Sequence, residues 1–199
     1  MKPINLLLIP LLIGMSCTQK SKKEPTDTEE VVSHEHHAHN QDSPAEKPKS
    51  LSPRKATMAN IGDNHVHIDY SSPGKRGRMI FGGLVGYGQV WVTGAHKATN
   101  ITFSKAVKVG DVTIEAGKYG FFTIPEKDKW TIIISKDWDM HLADDYTPDN
   151  DVIRLEAPVE NLDEPVESLT FEIEETKKGT SEISVSWDKT KITFQAVNE

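Results

Sequence analysis

The stretch LTFEIEETKKGTSEISVSWDKTKITF, residues 169–194, alternates apolar and polar side chains through three short segments. Leu169, Phe171 and Ile173 fall on one face of the first segment, and the alternation returns at 183–187 and 192–194. Successive side chains of a β-strand point to opposite faces, so one face of each segment is expected to pack on a core. The pattern predicts antiparallel strands whose threonine, glutamate, serine and lysine side chains face water.

Short runs of the same kind recur through the preceding hundred or so residues, which is typical of a sandwich or barrel. They lie at 66–70, 90–92, 101–103, 107–109, 112–114, 119–124, 130–135 and 152–155. Only Gly110 and Asp111 separate two of these runs, which favours a two-residue hairpin. The continuous apolar and β-branched run at 130–135 indicates a strand buried on both faces. We predict an all-β fold, a single antiparallel β-sandwich, jelly-roll-like, of about ten strands.

Composition excludes nucleic acid as a partner. The chain has 199 residues and carries 23 Lys and Arg against 30 Asp and Glu, a net charge of −7. Neutralising phosphates needs clustered basic residues, and no basic stripe with interleaved aromatic residues occurs. Cys17 is the single cysteine, so no disulfide forms within the chain, and burial and hydrogen bonds must hold the domain together.

Residues 1–16 are typical of a signal peptide. Lys2 supplies a positive start, and the mostly apolar residues 4–15 are too few to cross a bilayer as a helix. Ser16 directly before Cys17 resembles the lipobox of bacterial lipoproteins, although Gly14 stands where that motif usually has leucine. The resemblance implies acylation of Cys17 and a membrane partner through the lipid anchor. The expected location is the cell envelope, periplasmic or outer-surface; the alternative is ordinary secretion that leaves a free thiol.

Residues 17–51 are predicted to form a disordered tether that follows the acylated cysteine. The segment mixes acidic and basic side chains, holds no aromatic residue, and buries too little apolar area to offset its ordering entropy. Four histidines lie within His34–His39, where a flexible chain can chelate Cu, Ni or Zn loosely. The alternative is a polar linker whose histidines happen to cluster. The remaining residues, 52–199, form the predicted β-sandwich domain.

A series of short motifs follows in order through the domain. They include Tyr70-Ser-Ser-Pro73, Ile80-Phe81-Gly82, Tyr87-Gly88-Gln-Val-Trp91, Thr93-Gly94-Ala95 and Phe122-Thr-Ile-Pro125. This order resembles the domain of unknown function 2911 family over roughly residues 52–194. The resemblance implies a β-sandwich of an exported bacterial protein without an established activity. Val92 stands where an arginine is usual and His96 where an asparagine is usual, so a polar site at those positions would be altered here.

A histidine row on one strand is the sharpest chemical signal. His65, His67 and Asp69 share a face because residues two apart on a strand point the same way. Neutral imidazole suits Zn and Cu, and His96 and His141 complete a metal site if the fold brings them together. The sequence therefore predicts a Cu or Zn site among His65, His67, His96 and His141. The alternative is a polar strand face whose side chains only form hydrogen bonds.

Three aromatic residues are candidate ligand-binding groups. Tyr87, Trp91 and Trp138 are predicted to form a stacking platform for a sugar or a partner loop, with core packing as the alternative. The basic residues 75–78 follow Pro73 and Gly74 and are expected in an exposed turn that suits anionic polymers or lipid headgroups.

The sequence favours a non-enzymatic binding module of the cell envelope, with Cu or Zn as a candidate cofactor and a protein or small molecule as partner. No catalytic residue is predicted, because no Gly-x-Ser-x-Gly motif occurs and the lone thiol belongs to the lipid anchor. One alternative is a metal-dependent hydrolase that uses a bound water. The other is a glycan or protein adhesion module built on the aromatic residues.

Overall fold

A computed structural model describes residues 50–199 of the chain. Within this range the strands are β1 (Arg54–Ile61), β2 (Asn64–Ser71), β3 (Thr99–Phe103), β4 (Val107–Val109), β5 (Val112–Ile114), β6 (Gly117–Ile124), β7 (Lys129–Ser135), β8 (Asp151–Pro158), β9 (Glu160–Lys177) and β10 (Thr180–Asn198). A 3-10 helix, Pro148–Asn150, precedes β8. One sheet has the order β1-β2-β3-β6-β7-β8 and the other β5-β4-β10-β9. All pairings are antiparallel, which confirms the predicted β-sandwich.

Alternating side chains build the core between the two sheets. Ile68 on β2 and Phe121 on β6 pack in one cluster with Phe171 on β9 and Val185 on β10. The faces expected from the sequence at 169–173, 183–187 and 192–194 are the buried faces, except that Ile173 is only partly buried. The hydrophobic pattern therefore sets the register of the long β9–β10 hairpin.

The hairpin predicted around Gly110 and Asp111 is present as β4 and β5. Val109 pairs with Val112 across the two-residue turn. Gly110 has a φ of 57°, a left-handed conformation that glycine adopts without strain.

Strands β6 and β7 are buried on both faces, as predicted for 130–135. Ile132 and Ile134 face the core between the sheets, whereas Ile133 belongs to a second apolar cluster with Phe122. That second cluster is completed by side chains from two segments outside the sheet, among them Val92, Ala98 and Met140. The outer face of the six-stranded sheet is thus covered at β6 and β7.

The prediction of a strand at 90–92 is wrong. Only Trp91 forms a β-bridge there, with Thr123 on β6, through N–O distances of 2.8 and 2.9 Å. Left-handed φ values of 71° at Gly88 and 49° at Thr93 end the extended backbone on both sides. A single bridged residue and a short strand show the same alternation in a sequence, so residues 90–92 were predicted as a strand.

The sequence did not indicate β1, whose only buried residue is Ile61. Its other side chains are exposed or half-buried, so no apolar alternation marks it. Runs 183–187 and 192–194 are parts of one strand, β10, whose pairing with β9 shifts register around Asp188. Among residues 50–199 no helix is long and apolar enough to span a membrane.

Candidate functional site

Two loops meet at the outer face of the six-stranded sheet, which the last part of the first loop and the second loop cover. The β2–β3 loop comprises residues 72–98, and the β7–β8 loop comprises residues 136–147. Backbone hydrogen bonds join them, because Leu142 N–H donates to His96 O at 2.7 Å and Ala98 N–H donates to Met140 O at 2.9 Å. Lys97 and His141 face each other in an antiparallel bridge. The two loops therefore form one surface structure.

A cleft with a volume of about 660 Å³ opens between these loops and β10. Its apolar lining includes Leu84, Val85, Val90, Trp91, Leu142 and Trp187. Its charged or titratable lining consists of Arg76, Arg78, His96 and Asp144. A concave, mostly apolar site with a few polar groups is the common form of a small-molecule site, so we take this cleft as the candidate binding site.

Tryptophan rings form one wall of the cleft. The rings of Trp91 and Trp187 are stacked, with centroids 5.9 Å apart and planes inclined by 21°. Phe81 meets both rings edge-on at 6.1 and 6.2 Å. Trp91 donates its indole N–H to the carbonyl of Gly94 at 3.0 Å, whereas the indole N–H of Trp187 is buried and has no acceptor in the described part of the chain. Of the two indole N–H groups in this wall, only that of Trp187 lacks an acceptor among residues 50–199.

Left-handed backbone conformations concentrate around the cleft. Within residues 50–199, five non-glycine residues have a positive φ: Arg76 (49°), Thr93 (49°), His96 (64°), Leu142 (55°) and Asp188 (54°). Three of them line the cleft, and the other two directly neighbour lining residues. Such conformations cost free energy and persist only where the surroundings enforce them, often at binding sites.

Side-chain contacts hold the loops in these conformations. The Lys75 ammonium pairs with Asp188 at 2.5 Å, which ties the β2–β3 loop to β10. Thr93 shares a hydrogen bond of 3.0 Å with Thr123 on β6, and the Thr99 hydroxyl donates to Thr93 O at 2.9 Å. The cleft is therefore preformed.

Two guanidinium groups at the cleft lack carboxylate partners. Arg78 donates from Nε to Lys75 O at 3.1 Å and from Nη2 to Gly74 O at 2.5 Å, so backbone carbonyls fix its side chain. The Arg76 backbone N–H donates to the Glu167 carboxylate at Oε1 over 2.8 Å, whereas its guanidinium makes no hydrogen bond in the described part of the chain. In the described part of the chain neither guanidinium lies within salt-bridge distance of a carboxylate.

Tyr146 anchors the far end of the β7–β8 loop. Its hydroxyl donates to Asp151 Oδ2 at 2.6 Å and accepts from Arg154, whose Nε also contacts Asp151 Oδ2 at 2.6 Å. Burial first, and then the hydrogen bond to the Asp151 carboxylate, raises the pKa of Tyr146 to about 12. The loop is thus fixed to β8 at one end and to the β2–β3 loop at the other.

The structure places the four candidate metal-binding histidines in different surroundings. His96 and His141 are exposed neighbours whose ring centroids are 6.4 Å apart. On β2, His65 Nδ1 contacts Asn60 at 3.0 Å and His67 Nε2 lies 3.3 Å from Asp69. No group of three or more His, Cys, Asp or Glu side chains within residues 50–199 is arranged to hold one metal ion. The four-histidine site stays a prediction, and His96 and His141 form its one close imidazole pair.

The three candidate aromatic residues line three different cavities rather than one platform. Tyr87 and Trp138 are 38% and 40% exposed, and the Lys118 ammonium lies 4.2 Å from the ring centroid of Trp138. Trp91 is the one of the three at the cleft. Cys17 and the histidines at 34–39 lie outside the described residues.

Sequence reasoning missed most of the cleft. Arg76 and Arg78 belong to the basic turn predicted at 75–78, but nothing in the sequence indicated that this turn and Trp187 line the same cleft. Trp187 fits the alternation of β10 and is 1% exposed, so it looks like an ordinary core residue. Leu142 carries no local signal of its left-handed backbone.

Residues 52–196 match the family described as "Protein of unknown function (DUF2911)". All the cleft residues lie within this range. No curated protein and no solved structure matches the chain.

Proposed function

The chain belongs to the DUF2911 family of proteins of unknown function, and we propose that it is a non-enzymatic binding module whose ligand site is the cleft between the β2–β3 and β7–β8 loops. The observation that carries the proposal is the grouping of five left-handed non-glycine residues around that one cleft. Strained backbone is retained where it serves a purpose, and a preformed site loses less entropy when a ligand binds.

The lining favours binding over catalysis. It supplies shape, apolar surface and charge, and no hydrogen bond among the described residues joins a hydroxyl of the lining to a histidine or carboxylate there. Activated nucleophiles need such a partner within hydrogen-bond reach.

The test uses the intrinsic fluorescence of the full chain, since Trp91 and Trp187 line the cleft. A panel of sugars, amino acids, organic carboxylates and neutral aromatic compounds is titrated, and we expect saturable quenching by at least one class. Ala95→Phe fills the cleft and should abolish that binding. Ala116→Phe, on the exposed turn before β6, is the control and should bind as the parent does. Absence of binding by every compound, or equal binding by Ala95→Phe, contradicts the proposal.

We also propose that the chain is exported and anchored in the cell envelope by acylation of Cys17. The support is the apolar segment 4–15 that ends at this cysteine. Radiolabelled palmitate should enter the parent chain and the Ser16→Ala control but not Cys17→Ala. A mature protein that keeps residues 1–16 contradicts the anchor.

The other functions suggested by the sequence stay predictions with less support. A metal-dependent hydrolase needs a site of clustered ligands with an open coordination position, and only His96 and His141 come close together. An adhesion module needs its aromatic residues on one surface, and these line separate cavities.

A further inference from the structure

We infer that the ligand of the cleft is a small organic anion, a carboxylate or similar oxyanion attached to an apolar body. The inference rests on the proposed function, because it names the ligand class of the same cleft. It is carried by the two arginines of the lining, above all the fixed guanidinium of Arg78, and by the apolar walls.

The arginines place cationic groups at the cleft of a chain whose net charge is −7. Neither guanidinium lies within salt-bridge distance of a carboxylate among residues 50–199. Lys75 is neutralised by Asp188 and the Glu167 carboxylate accepts from the Arg76 N–H, so Arg78 is the cation that has no acidic hydrogen-bond partner among the described residues. Guanidinium groups bind carboxylate and phosphate oxygens through paired hydrogen bonds, which fits an oxyanion.

Arg78 is preorganised for such a contact. Its Nε and Nη2 atoms are held by backbone carbonyls of Lys75 and Gly74, whereas no hydrogen bond of Nη1 is found in the described part of the chain. A fixed guanidinium loses little side-chain entropy when it binds a ligand.

Trp187 supplies apolar surface to the cleft. Its side chain lines the cleft and is 1% exposed, and its indole N–H is buried without an acceptor among the described residues. That N–H lies out of reach of a ligand in the cleft, so Trp187 packs against the apolar body of the ligand while the guanidinium groups contact its charged end.

The lining also limits the size and charge of the ligand. Arg76 and Arg78 are accompanied by two acidic side chains, Asp144 in the lining and Glu167 beside the Arg76 backbone, so the site has no surplus positive charge for a polyanion and suits a ligand with a single charged group. A volume of about 660 Å³ with tryptophan and aliphatic walls has room for an apolar body of drug-like size. A bare inorganic ion would leave this apolar surface in contact with water.

The test compares two probes that differ in charge alone. Isothermal titration of the full chain with 2-naphthoate and with the neutral 2-naphthamide should show at least about tenfold tighter binding of the anion, as one charge-assisted hydrogen bond provides. Arg76→Gln should weaken 2-naphthoate about tenfold and leave 2-naphthamide unchanged. Lys108→Gln, which removes one positive charge on β4, is the matched control and should change neither affinity.

A second variant tests the guanidinium geometry at constant charge. Arg78→Lys should weaken 2-naphthoate severalfold, because an ammonium group lacks the planar pair of donors. Circular dichroism of each variant verifies that its fold is unchanged.

The outcomes separate this inference from the proposed function. If both probes bind with equal affinity and Ala95→Phe abolishes the binding of both, the inference of an anionic ligand is wrong. The cleft then still stands as a binding site. Failure of both probes and of every carboxylate in the panel, while a neutral compound binds the cleft, has the same meaning. If no compound binds the cleft, both the inference of an anionic ligand and the proposed binding function are wrong. If 2-naphthoate binds the parent, Arg76→Gln and Arg78→Lys with the same affinity, the arginines do not recognise the anion and the inference is wrong.

Discussion

At the scale of single residues, Gly120 is where the β7–β8 loop meets the sheet. A Cβ at this position would lie 2.1 Å from the carbonyl oxygen of Asp137 and 2.6 Å from the ring of Phe122. The loop reaches the outer face of β6 because no side chain stands there. The glycine is therefore a condition for the cleft, although it is not part of its lining.

Gly120→Ala should destabilise the chain by about 3 kcal/mol, since backbone must move to relieve the overlap. The measurement is the free energy of unfolding in urea. Gly117→Ala on the same strand is the control and should stay within about 1 kcal/mol of the parent, because its Cβ would meet only the Tyr119 side chain, at 3.3 Å. Equal stability of the two variants would contradict the packing described for Gly120.

The raised pKa of Tyr146 predicts a loss of stability at high pH. The folded chain keeps this hydroxyl neutral until about pH 12, whereas in the unfolded chain its pKa returns to the usual 10.0. The stabilisation is complete below pH 10 and disappears as the pH rises from about 10 to about 12, because only the unfolded state then releases the proton readily.

Urea unfolding between pH 8 and pH 12 checks this prediction. The stability advantage of the parent over Tyr146→Phe should shrink across the upper part of the range. Met58→Ala, which removes an exposed side chain without a titratable group, should keep a constant difference from the parent. A constant difference for Tyr146→Phe as well would show that its hydroxyl titrates normally.

The neighbouring rings of His96 and His141 set the expected place of metal binding within residues 50–199. We expect Cu(II) or Zn(II) to bind this pair more tightly than His67, because two imidazoles can share one ion. Titration should show a loss of about tenfold in affinity for His141→Ala and no change for His67→Ala, measured in a chain whose histidines at 34–39 are replaced by alanine. A loss confined to His67→Ala would place the metal on β2.

At the scale of elements, β6 and β7 bury large apolar side chains on both of their faces. The run at 130–135 could be predicted, since a strand without polar alternation has no face for water. What covers the outer face could not be predicted: Val92 and Met140 reach it from loops that show no periodic pattern.

Phe122→Ala should cost about 4 kcal/mol, as for any large side chain buried completely. Met58→Ala on β1, where the side chain is 56% exposed, is the control and should cost well under 1 kcal/mol. The measurement is the free energy of unfolding of both variants in denaturant. A small loss for Phe122→Ala would mean that the outer cluster does not pack as described.

A strand could be predicted from the sequence where one of its faces is buried and the other is exposed. β2 and β9 were recognisable because buried and exposed positions alternate along them, whereas β1 has one buried residue and gives no such signal. The cleft brings together residues far apart in the sequence, for example Arg76 and Trp187, and no local pattern encodes such a grouping. Secondary structure was thus largely predictable and the site was not.

At the scale of the whole molecule, the sandwich is asymmetric. Its six-stranded sheet carries the two loops on its outer face, and these loops together with β10 form the cleft. The chain has a net charge of −7, and Arg76 and Arg78 place two guanidinium groups at the cleft. Fixed cationic groups in a concave part of an acidic surface give small anions a preferred place to bind.

The indole N–H signals of the four tryptophans in a two-dimensional NMR spectrum of the full chain test the central claim most directly. On addition of 2-naphthoate, the signals of Trp91 and Trp187 should move in a saturable way, because both rings line the cleft. Trp138, which lines a different cavity, should keep its signal. Unchanged signals for Trp91 and Trp187, or a shift confined to Trp138, would contradict the account.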